Sequence, residues 1–361
     1  MRHRYFSKFF PLGILFFAVL LIISCDSPQG NSSENTTEES AEADNDYLAS
    51  WQEGPKQQIM NWVKDATTDG SPEFISVGNR IAVFDNDGTL WSEQPMYFQL
   101  AFAIDEVKRM APEHPEWKSN SSINSLLNGD MQGFLAGGEK ALLQTVAVTH
   151  TGMSAEEFDS HVKNWMNTAT HPKTGKHYNE MIFQPMLELL DYLRDNDFKT
   201  FIVSGGGIDF MRAWAEEAYG IPPYQVVGSQ LGLTYVDSLA KPELIKTPEL
   251  NFNDDKAGKP VGIYRNIGKR PVFAAGNSDG DYQMLQYTST GEGSRFGLII
   301  HHTDSVREAA YDRDSHIGQL NKGLDDAAKY DWLVVDMAKD WKVIYPYDLK
   351  YLLNYTLILN M

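Results

Sequence analysis

The chain has almost no cysteine and too few basic residues to balance its acids. A single cysteine, Cys25, stands among 361 residues, so no disulfide can form within one chain. The 31 Lys and Arg residues face 49 Asp and Glu residues, which gives a formal net charge of −18. Such an acidic protein is not expected to bind nucleic acid or to adhere to an anionic membrane surface, because both are negatively charged.

Long apolar runs are also scarce. The marked one covers residues 12–23 and is shorter than the roughly 20 apolar residues that a membrane span needs. Three basic residues, Arg2, Arg4 and Lys8, precede it, and small residues follow it. This order predicts an export signal over residues 1–25, with an uncleaved membrane anchor as the alternative.

Cys25 stands at the end of this predicted signal. Residues 22–25 read Ile-Ile-Ser-Cys, which resembles the lipobox of bacterial lipoproteins. The resemblance implies that Cys25 is lipidated and becomes the mature N-terminus, whereas the alternative is a leftover signal residue. Two or more acyl chains, each buried CH₂ contributing ~0.8 kcal/mol, would hold the protein stably on a membrane. The expected location is the bacterial cell envelope, on the periplasmic or outer-membrane side, with inner or outer membrane left open.

Residues 26–48 are expected to form an acidic, disordered tether. Seven acids and no Lys or Arg lie between residues 26 and 46, among many Ser, Thr and Asn. Such a segment cannot bury enough apolar surface to offset the entropy of its chain. The folded domain is therefore expected over residues 49–361.

Apolar runs of strand length alternate with helix-like patterns in the folded part. This alternation predicts an α/β fold with a Rossmann-like parallel sheet and helices on both faces. Residues 92–180 lack strand-like runs and space their apolar residues three and four apart, as helices do. They are interpreted as an inserted α-helical cap at about 93–180, with the core at about 49–92 and 181–361. The predicted strands are at 81–84, 199–204, 270–276, 296–301 and 332–337.

Three predicted strands lead directly into acids, small hydroxyls and glycines. Asp85 and Asp87 follow the first strand, Ser204 and three glycines follow the second, and the sequence GNSDGD at 276–281 ends the third. Each segment alone is also compatible with a turn or a helix N-cap. Because ligands bind at the carboxyl ends of the strands in open α/β sheets, the three loops together predict one site.

These segments carry a family resemblance. FDNDGT, VSGG, a downstream lysine and GNSDGD resemble, in this order, the four motifs of the haloacid dehalogenase superfamily. The helical insert after the first motif is similar to the branch that contains phosphoserine phosphatase. The resemblance covers about residues 80–300, and it implies a phosphatase that acts on a small phosphorylated substrate through an aspartyl-phosphate.

The resemblance implies a role for each motif residue. Asp85 would be the nucleophile, Asp87 would protonate the leaving group and later activate water, and Thr89 would anchor the loop and bond a phosphoryl oxygen. An acid beside ionised Asp85 is expected to have a raised pKa, which allows two identical side chains to play two roles. Ser204 and the Gly205 amide would hold another phosphoryl oxygen.

A lysine is implied as well, to neutralise the phosphoryl group. Lys259 matches the family's spacing best, and Lys256 is the alternative. Glu93 or Gln94 lies near the position of a substrate-recognising glutamate. Trp91 and Tyr97 are expected either to pack between cap and core or to line the entrance of the site.

The resemblance further implies Mg²⁺, which prefers oxygen ligands. Its implied ligands are the carboxylate of Asp85, the main-chain carbonyl of Asp87, Asn277 and Asp281. Asn277 stands where the family commonly has Asp, so either affinity falls or Asp279 or Asp281 compensates. This departure leaves open a lipoprotein that binds phosphorylated ligands with little turnover, and a phosphotransferase is a further alternative.

Overall fold

The computed structural model describes residues 47–237 and 241–349. The predicted signal, Cys25 and the tether up to residue 46 lie outside the described residues. Within the described ranges, no helix is long and apolar enough to cross a membrane.

One sheet runs through the described part of the chain. Its strands are β1 (Ile81–Phe84), β2 (Lys199–Gly207), β3 (Val226–Val236), β4 (Glu243–Phe252), β5 (Phe273–Gly276), β6 (Phe296–His301) and β7 (Leu333–Asp336). Their spatial order is β4-β3-β2-β1-β5-β6-β7. Every neighbouring pair is parallel except β3 and β4, which are antiparallel. The α/β fold is therefore confirmed, and the strand that leads into Asp85 is the central one.

Helices connect most of the strands. They are α1 (Glu53–Thr67), α2 (Phe98–Met110), α3 (Ser121–Leu127), α4 (Met131–Ala136), α5 (Gly138–His150), α6 (Ala155–Thr168), α7 (Gln184–Asp195), α8 (Ile208–Arg212), α9 (Ala215–Tyr219), α10 (Gly258–Asn266), α11 (Tyr282–Ser289), α12 (Lys322–Asp326) and α13 (Met337–Asp340). Helices α2 to α6 lie between β1 and β2, and part of this segment has a hydrophobic cluster of its own, built around Val107 and Ile123. Their action as a cap over the site stays a prediction.

Both faces of the sheet are covered, as the alternation of side chains in β1 illustrates. Ala82 and Phe84 join one hydrophobic cluster, together with apolar residues of α1 and α7. Ile81 and Val83 point the other way and join a second cluster with residues of α10 and α11. Successive side chains of a strand face opposite sides, so an all-apolar strand needs a cover on each side.

The paired strands β3 and β4 have no counterpart among the predicted strands. Both mix apolar with polar residues without a regular alternation, and β4 is half exposed at the edge of the sheet. Pro248 lies within β4, where an edge strand tolerates a residue that cannot donate a ladder hydrogen bond. This edge strand reaches α5 and α6 and, as described below, contributes to the site.

Candidate active site

The carboxyl ends of β1, β2 and β5 meet at one cavity of about 370 Å³. Two predicted residues, Thr89 and Asn277, lie buried behind its wall, hydrogen-bonded to each other at 3.3 Å. The other predicted residues line the cavity: Asp85, Asp87, Glu93, Ser204, Gly205, Lys259 and Asp281. The three loops therefore converge, although their residues are nearly 200 positions apart in the chain.

The loop after β1 turns sharply at Gly88, which has a φ of 72°. A Cβ atom at this position would stand 2.0 Å from Nδ2 of Asn277 and 2.4 Å from Oε1 of Glu93. Both the left-handed conformation and the close approach thus require glycine. The Asp85 amide donates to the carbonyl of Ala275 at 2.9 Å, which fixes the start of the loop against β5.

Lys259, in the first turn of α10, is the cation of the site. Its Nζ donates to Oδ1 of Asp85 at 2.6 Å, to Oδ1 of Asp281 at 2.6 Å and to the carbonyl of Val203 at 2.9 Å. The residue is 2% exposed, whereas the alternative, Lys256, is exposed. Although burial lowers it, the pKa of Lys259 is raised by Asp281 and Asp85, so the ammonium stays charged.

Asp85 and Asp87 hold protons more tightly than ordinary carboxyl groups. Burial, followed by the charge of Asp281, raises the pKa of Asp85 to about 8 despite the opposing effect of Lys259. Burial raises the pKa of Asp87 to about 6, against the hydrogen bond from Trp91 and the charge of Lys259. Asp87 can therefore donate and accept a proton near neutral pH, as a general acid and base must.

Both oxygens of Asp281 have protein partners. Oδ1 accepts from Lys259, and Oδ2 accepts from the amides of Asn277 and Ser278, each at 3.0 Å. Asp279 faces away from the cavity, because its carboxylate accepts the amides of residues 321–323 at the start of α12. Asp281 thus positions the lysine and its own loop, and Asp279 does not supply the charge that Asn277 lacks.

Asn277 is paired with Glu93 instead. Its Nδ2 donates to Oε1 of Glu93 at 2.7 Å, and the same oxygen accepts the Tyr311 hydroxyl at 2.8 Å. Glu93 is 2% exposed, and burial followed by the charge of Asp87 raises its pKa well above the ordinary value. The carboxyl group of Glu93 therefore lies next to Asn277, the position at which the family commonly has Asp.

The donor chemistry of this wall fits a hard divalent cation. Asp85, Asp87, Glu93 and Asp281 offer four carboxyl groups beside Lys259. Mg²⁺ binds oxygen donors and retains waters in the rest of its shell, and a bound cation would favour the ionised form of the acids whose pKa burial raises. In residues 47–237 and 241–349, no three Asp, Glu, His or Cys side chains form a preassembled metal cluster.

Trp91 supports Asp87 from the core. Its Nε1 donates to Oδ1 of Asp87 at 2.8 Å, and its ring stacks on Trp214 with 4.2 Å between centroids. Trp91 is fully buried, as expected for a packing residue, whereas Tyr97 lines the cavity. The Trp91–Asp87 hydrogen bond was not predictable from the sequence, because tryptophan is common in protein cores without such a partner.

His302 supports the same loop from the end of β6. Its Nε2 donates to the carbonyl of Gly88 at 2.7 Å, and its Nδ1 lies 3.2 Å from a carboxylate oxygen of Glu308. Both side chains of the His302–Glu308 pair are buried, at 1% and 3% exposure. The pair fixes the turn at Gly88 without reaching the cavity wall.

A chain of hydrogen bonds joins the glycine loop after β2 to α2 and α5. The Gly207 amide donates to Oε1 of Gln99 at 2.7 Å, so Nε2 of Gln99 faces Nε2 of His150 at 3.2 Å as a donor. His150 is then neutral and donates from Nδ1 to the Thr149 hydroxyl, which donates to the carbonyl of Thr145. Burial followed by the charge of Lys246 lowers the pKa of His150 to about 3, in agreement with this tautomer.

The cavity continues away from the acids into a more apolar region. Leu142 and Leu143 of α5 and Leu250 of β4 line it and remain 36%, 40% and 43% exposed. Lys246 of β4 and Asp209 of α8 form an ion pair in the same region. The sequence assigned no role to these residues, because the strand that carries Lys246 was not among those predicted.

One family model matches the chain in sequence, and several solved structures are similar to it. A family model described as haloacid dehalogenase-like hydrolase matches residues 82–286, more than half of the chain. No curated protein sequence matches it.

Similar solved structures include two proteins of unknown function and one phosphoserine phosphohydrolase-like protein. The first, from Anaerococcus prevotii DSM 20548, is 16% identical over 71% of this chain and 87% of its own, with a TM-score of 0.47. The second, from Bordetella pertussis Tohama I, is 16% identical over 72% and 99%, with a TM-score of 0.44. The third, from Francisella tularensis subsp. tularensis SCHU S4, is 14% identical over 69% and 98%, with a TM-score of 0.34.

Proposed function

The chain belongs to the haloacid dehalogenase-like hydrolases, and from this premise we propose that it is a Mg²⁺-dependent phosphatase that hydrolyses small phosphomonoesters. The observation that carries the proposal is the contact of Lys259 with both Asp85 and Asp281, in a cavity that Asp87 also lines. Lys259 holds a carboxylate nucleophile in place and offers positive charge to the incoming phosphate. Phosphoryl transfer depends mainly on such positioning and charge stabilisation.

In the first step, a carboxylate oxygen of Asp85 attacks phosphorus and the bond to the leaving oxygen breaks. Asp87 gives its proton to that oxygen, so the leaving group departs as a neutral alcohol. Its pKa of about 6 leaves a usable fraction protonated near neutral pH. The product of this step is a phosphoryl group bonded to Asp85.

In the second step, Asp87 takes a proton from water while that water attacks the phosphorus of the aspartyl-phosphate. The bond between phosphorus and Asp85 breaks, which restores the carboxylate and releases inorganic phosphate. The Ser204 hydroxyl and the Gly205 amide are assigned to hold phosphoryl oxygens in both steps, and both residues line the cavity. Thr89 anchors the loop through its hydrogen bond to Asn277.

Mg²⁺ would be held by the carboxylate of Asp85 and the main-chain carbonyl of Asp87, with Asn277 and Glu93 beside them. When bound, the cation neutralises charge on the phosphoryl group. Asp281 is assigned an indirect role, because both of its oxygens already have protein partners. Glu93 is added to the family-implied set because its carboxylate stands against the Asn277 amide.

Turnover of an aryl phosphate by the purified full-length protein tests the proposal. Activity is expected to require Mg²⁺, to disappear with EDTA, and to fall by a factor of about 10³ or more in Asp85→Asn. Asp314→Asn, a change at an exposed position, is the matched control and is expected to retain full activity. Undiminished turnover in Asp85→Asn contradicts the mechanism. Thermal stabilisation by phosphate and Mg²⁺ without turnover would instead support a phospho-ligand receptor.

We further propose that lipid on Cys25 anchors this hydrolase to the bacterial cell envelope. The support is the Ile-Ile-Ser-Cys stretch at residues 22–25, which follows a charged and then an apolar segment. Intact-mass measurement of protein extracted from membranes is expected to show acyl groups on Cys25. An unmodified Cys25 in that fraction, or protein that remains in the soluble fraction, contradicts the anchor.

A further inference from the structure

The cavity contains a second buried lysine that the proposed mechanism does not use. Lys246 and Lys259 both line the cavity, and each is 2% exposed. Lys259 donates to two carboxylates and a carbonyl at the acidic end. Lys246 lies among different residues, from β4, α5, α6 and α8, and its role must be sought in that region.

The main chain at Lys246 is fixed to the loop between α5 and α6. Its amide donates to the carbonyl of Met153 at 3.0 Å, and its carbonyl accepts the amide of Gly152 at 2.9 Å. Both hydrogen bonds cross the outer edge of β4. The side chain therefore starts from a rigid position, which suits a residue that selects a ligand by geometry.

The ammonium group of Lys246 has capacity for another acceptor. It pairs with Oδ2 of Asp209 and lies 4.7 Å from the centre of the Phe158 ring. Among the described residues, Nζ of Lys246 donates a hydrogen bond to Asp209. A lysine ammonium can donate three hydrogen bonds in total. Asp209 holds the ammonium in place and leaves donors for a ligand in the cavity.

The side chains that surround the Lys246–Asp209 pair in this part of the cavity carry no charge that would compete with a ligand for Lys246. His150 is neutral in the hydrogen-bond chain from Gln99 to Thr149, and Leu142, Leu143 and Leu250 provide apolar wall. A ligand that reaches Lys246 from the acidic end must pass along this wall. Its middle portion is therefore apolar, and its far end is a group that accepts hydrogen bonds from an ammonium.

We infer that Lys246 is a specificity-determining residue that binds a carboxylate on the leaving group of the substrate, separated from the phosphate by an apolar segment. The inference rests on the proposed phosphatase function. A carboxylate is favoured over a second phosphate because Asp209 lies beside Lys246, and a dianion would meet stronger repulsion from it. The substrate class is thus the carboxylate-bearing phosphomonoesters with an apolar spacer.

Three aryl phosphates test this inference. Each is a phenyl phosphate with one carbon attached at the para position, and they differ only in the group that this carbon carries. They are 4-(carboxymethyl)phenyl, 4-methylphenyl and 4-(aminomethyl)phenyl phosphate, in which the benzylic carbon insulates the reacting oxygen from the charge. The wild-type protein is expected to favour the carboxylate over the methyl ester about tenfold in kcat/KM, and to handle the ammonium ester least well. Lys246→Met is expected to remove this preference through KM, with the methyl ester changed less than about twofold.

Two further variants separate recognition from folding. Lys246→Arg keeps the charge and is expected to keep the preference for the carboxylate ester, and Asp209→Asn is expected to keep it as well. Equal losses for all three esters in Lys246→Met, or a wild-type preference for the ammonium ester, overturn the inference. No turnover of any ester contradicts the proposed function instead. In that case, thermal stabilisation of the protein by each ester tests binding alone. If the carboxylate ester stabilises the wild type most, and Lys246→Met loses this difference, the result supports binding by Lys246. Equal stabilisation by all three esters overturns the inference.

Discussion

The two buried lysines of the cavity show how the same side chain serves different purposes. Lys259 is enclosed by Asp85, Asp281 and a main-chain carbonyl, so its three donors are used within the protein. Lys246 has one carboxylate partner, Asp209, whose side chain is 28% exposed, and an aromatic ring. The two lysines are equally buried, but the number of acceptors that each ammonium group has within the protein differs.

This difference teaches that the number of acceptors an ammonium already has within the protein, more than its burial, separates a fixed catalytic cation from one that can bind a ligand. Lys259 offsets part of the repulsion between Asp85 and Asp281 and opposes the rise that burial produces in the pKa of Asp85. Lys246 neutralises one carboxylate, that of Asp209, and keeps donors for an acceptor that comes from outside the protein. Changes at Lys259 and around Asp87 test the catalytic side of this contrast, and the Lys246 variants test the ligand-binding side.

The largest effect is expected for Lys259→Met. The change leaves Asp85 and Asp281 buried without their cation, which should cost ~3–5 kcal/mol of the free energy of unfolding. Turnover should also fall by a factor of about 10²–10³. Urea unfolding and aryl phosphate hydrolysis measure the two quantities.

Lys256→Met is the matched control for this change. Lys256 is three residues earlier and exposed, so neither stability nor turnover should change appreciably. If Lys256→Met lost activity as Lys259→Met does, the assignment of the motif lysine would be wrong.

A smaller effect is expected for Asn277→Asp. An Asp side chain at this position would remove the amide donor to Glu93 and place a second acid against it, at a cost of ~1–3 kcal/mol in unfolding free energy. In the double variant Asn277→Asp, Glu93→Gln, the amide at position 93 donates and the carboxylate at position 277 accepts, the reverse of the wild type. This variant should recover most of the lost unfolding free energy. Thermal unfolding with and without Mg²⁺ checks both, and an unrecovered double variant contradicts the pairing.

The next effect concerns pH. His150 has a pKa of about 3 in the folded protein and near 6.5 when unfolded, so the unfolded state binds more protons between these values. Stability from this group is therefore complete above about pH 6.5 and is lost as the pH falls towards 3. From pH 7 to pH 5 the wild type should lose ~2 kcal/mol more than His150→Asn. His316→Asn, an exposed change, should follow the wild type, and parallel curves for His150→Asn and wild type would refute the prediction.

The smallest effect is expected for Trp91→Phe. The change removes the indole donor to Asp87, which should cost ~1 kcal/mol in unfolding free energy and raise the pKa of Asp87 above about 6. Carboxyl NMR titration measures that pKa. Trp332→Phe is the control, because its indole donates to the Ser289 hydroxyl at 2.9 Å, and it should leave the pKa of Asp87 unchanged.

Much of the fold was predictable because the buried strands are strongly patterned. β1, β2, β5, β6 and β7 each lie within a predicted strand or extend it by a few residues. Parallel strands covered on both faces are nearly all apolar, so a short window of sequence identifies them. β4 was missed because an exposed edge strand with Lys, Thr, Pro and Glu has the composition of a loop, and β3 was missed because Gly228, Ser229, Gln230 and Gly232 interrupt its apolar residues.

The candidate site divides in the same way. Asp85, Asp87 and Ser204 belong to motifs that stand next to recognisable strands, and Lys259 was implied by the family's spacing to the helix that follows it. The structure brings all four to one cavity. The pairing of Asn277 with Glu93 joins side chains 184 positions apart, so no local pattern could indicate it. Lys246 was missed together with the strand that carries it.

The sequence by itself determined the α/β class, the order of the strand-end loops and the kinds of side chain they carry. The alternation of strand-like and helix-like patterns and the turn residues after each strand are local properties. They can be recognised from a short stretch of sequence without knowledge of the rest of the chain. Only the tertiary structure decided which lysine meets Asp85, that Asn277 faces a carboxylate, and that Asp279 turns away. These outcomes depend on which distant segments pack together, because burial and hydrogen bonding are properties of the assembled fold rather than of neighbouring residues.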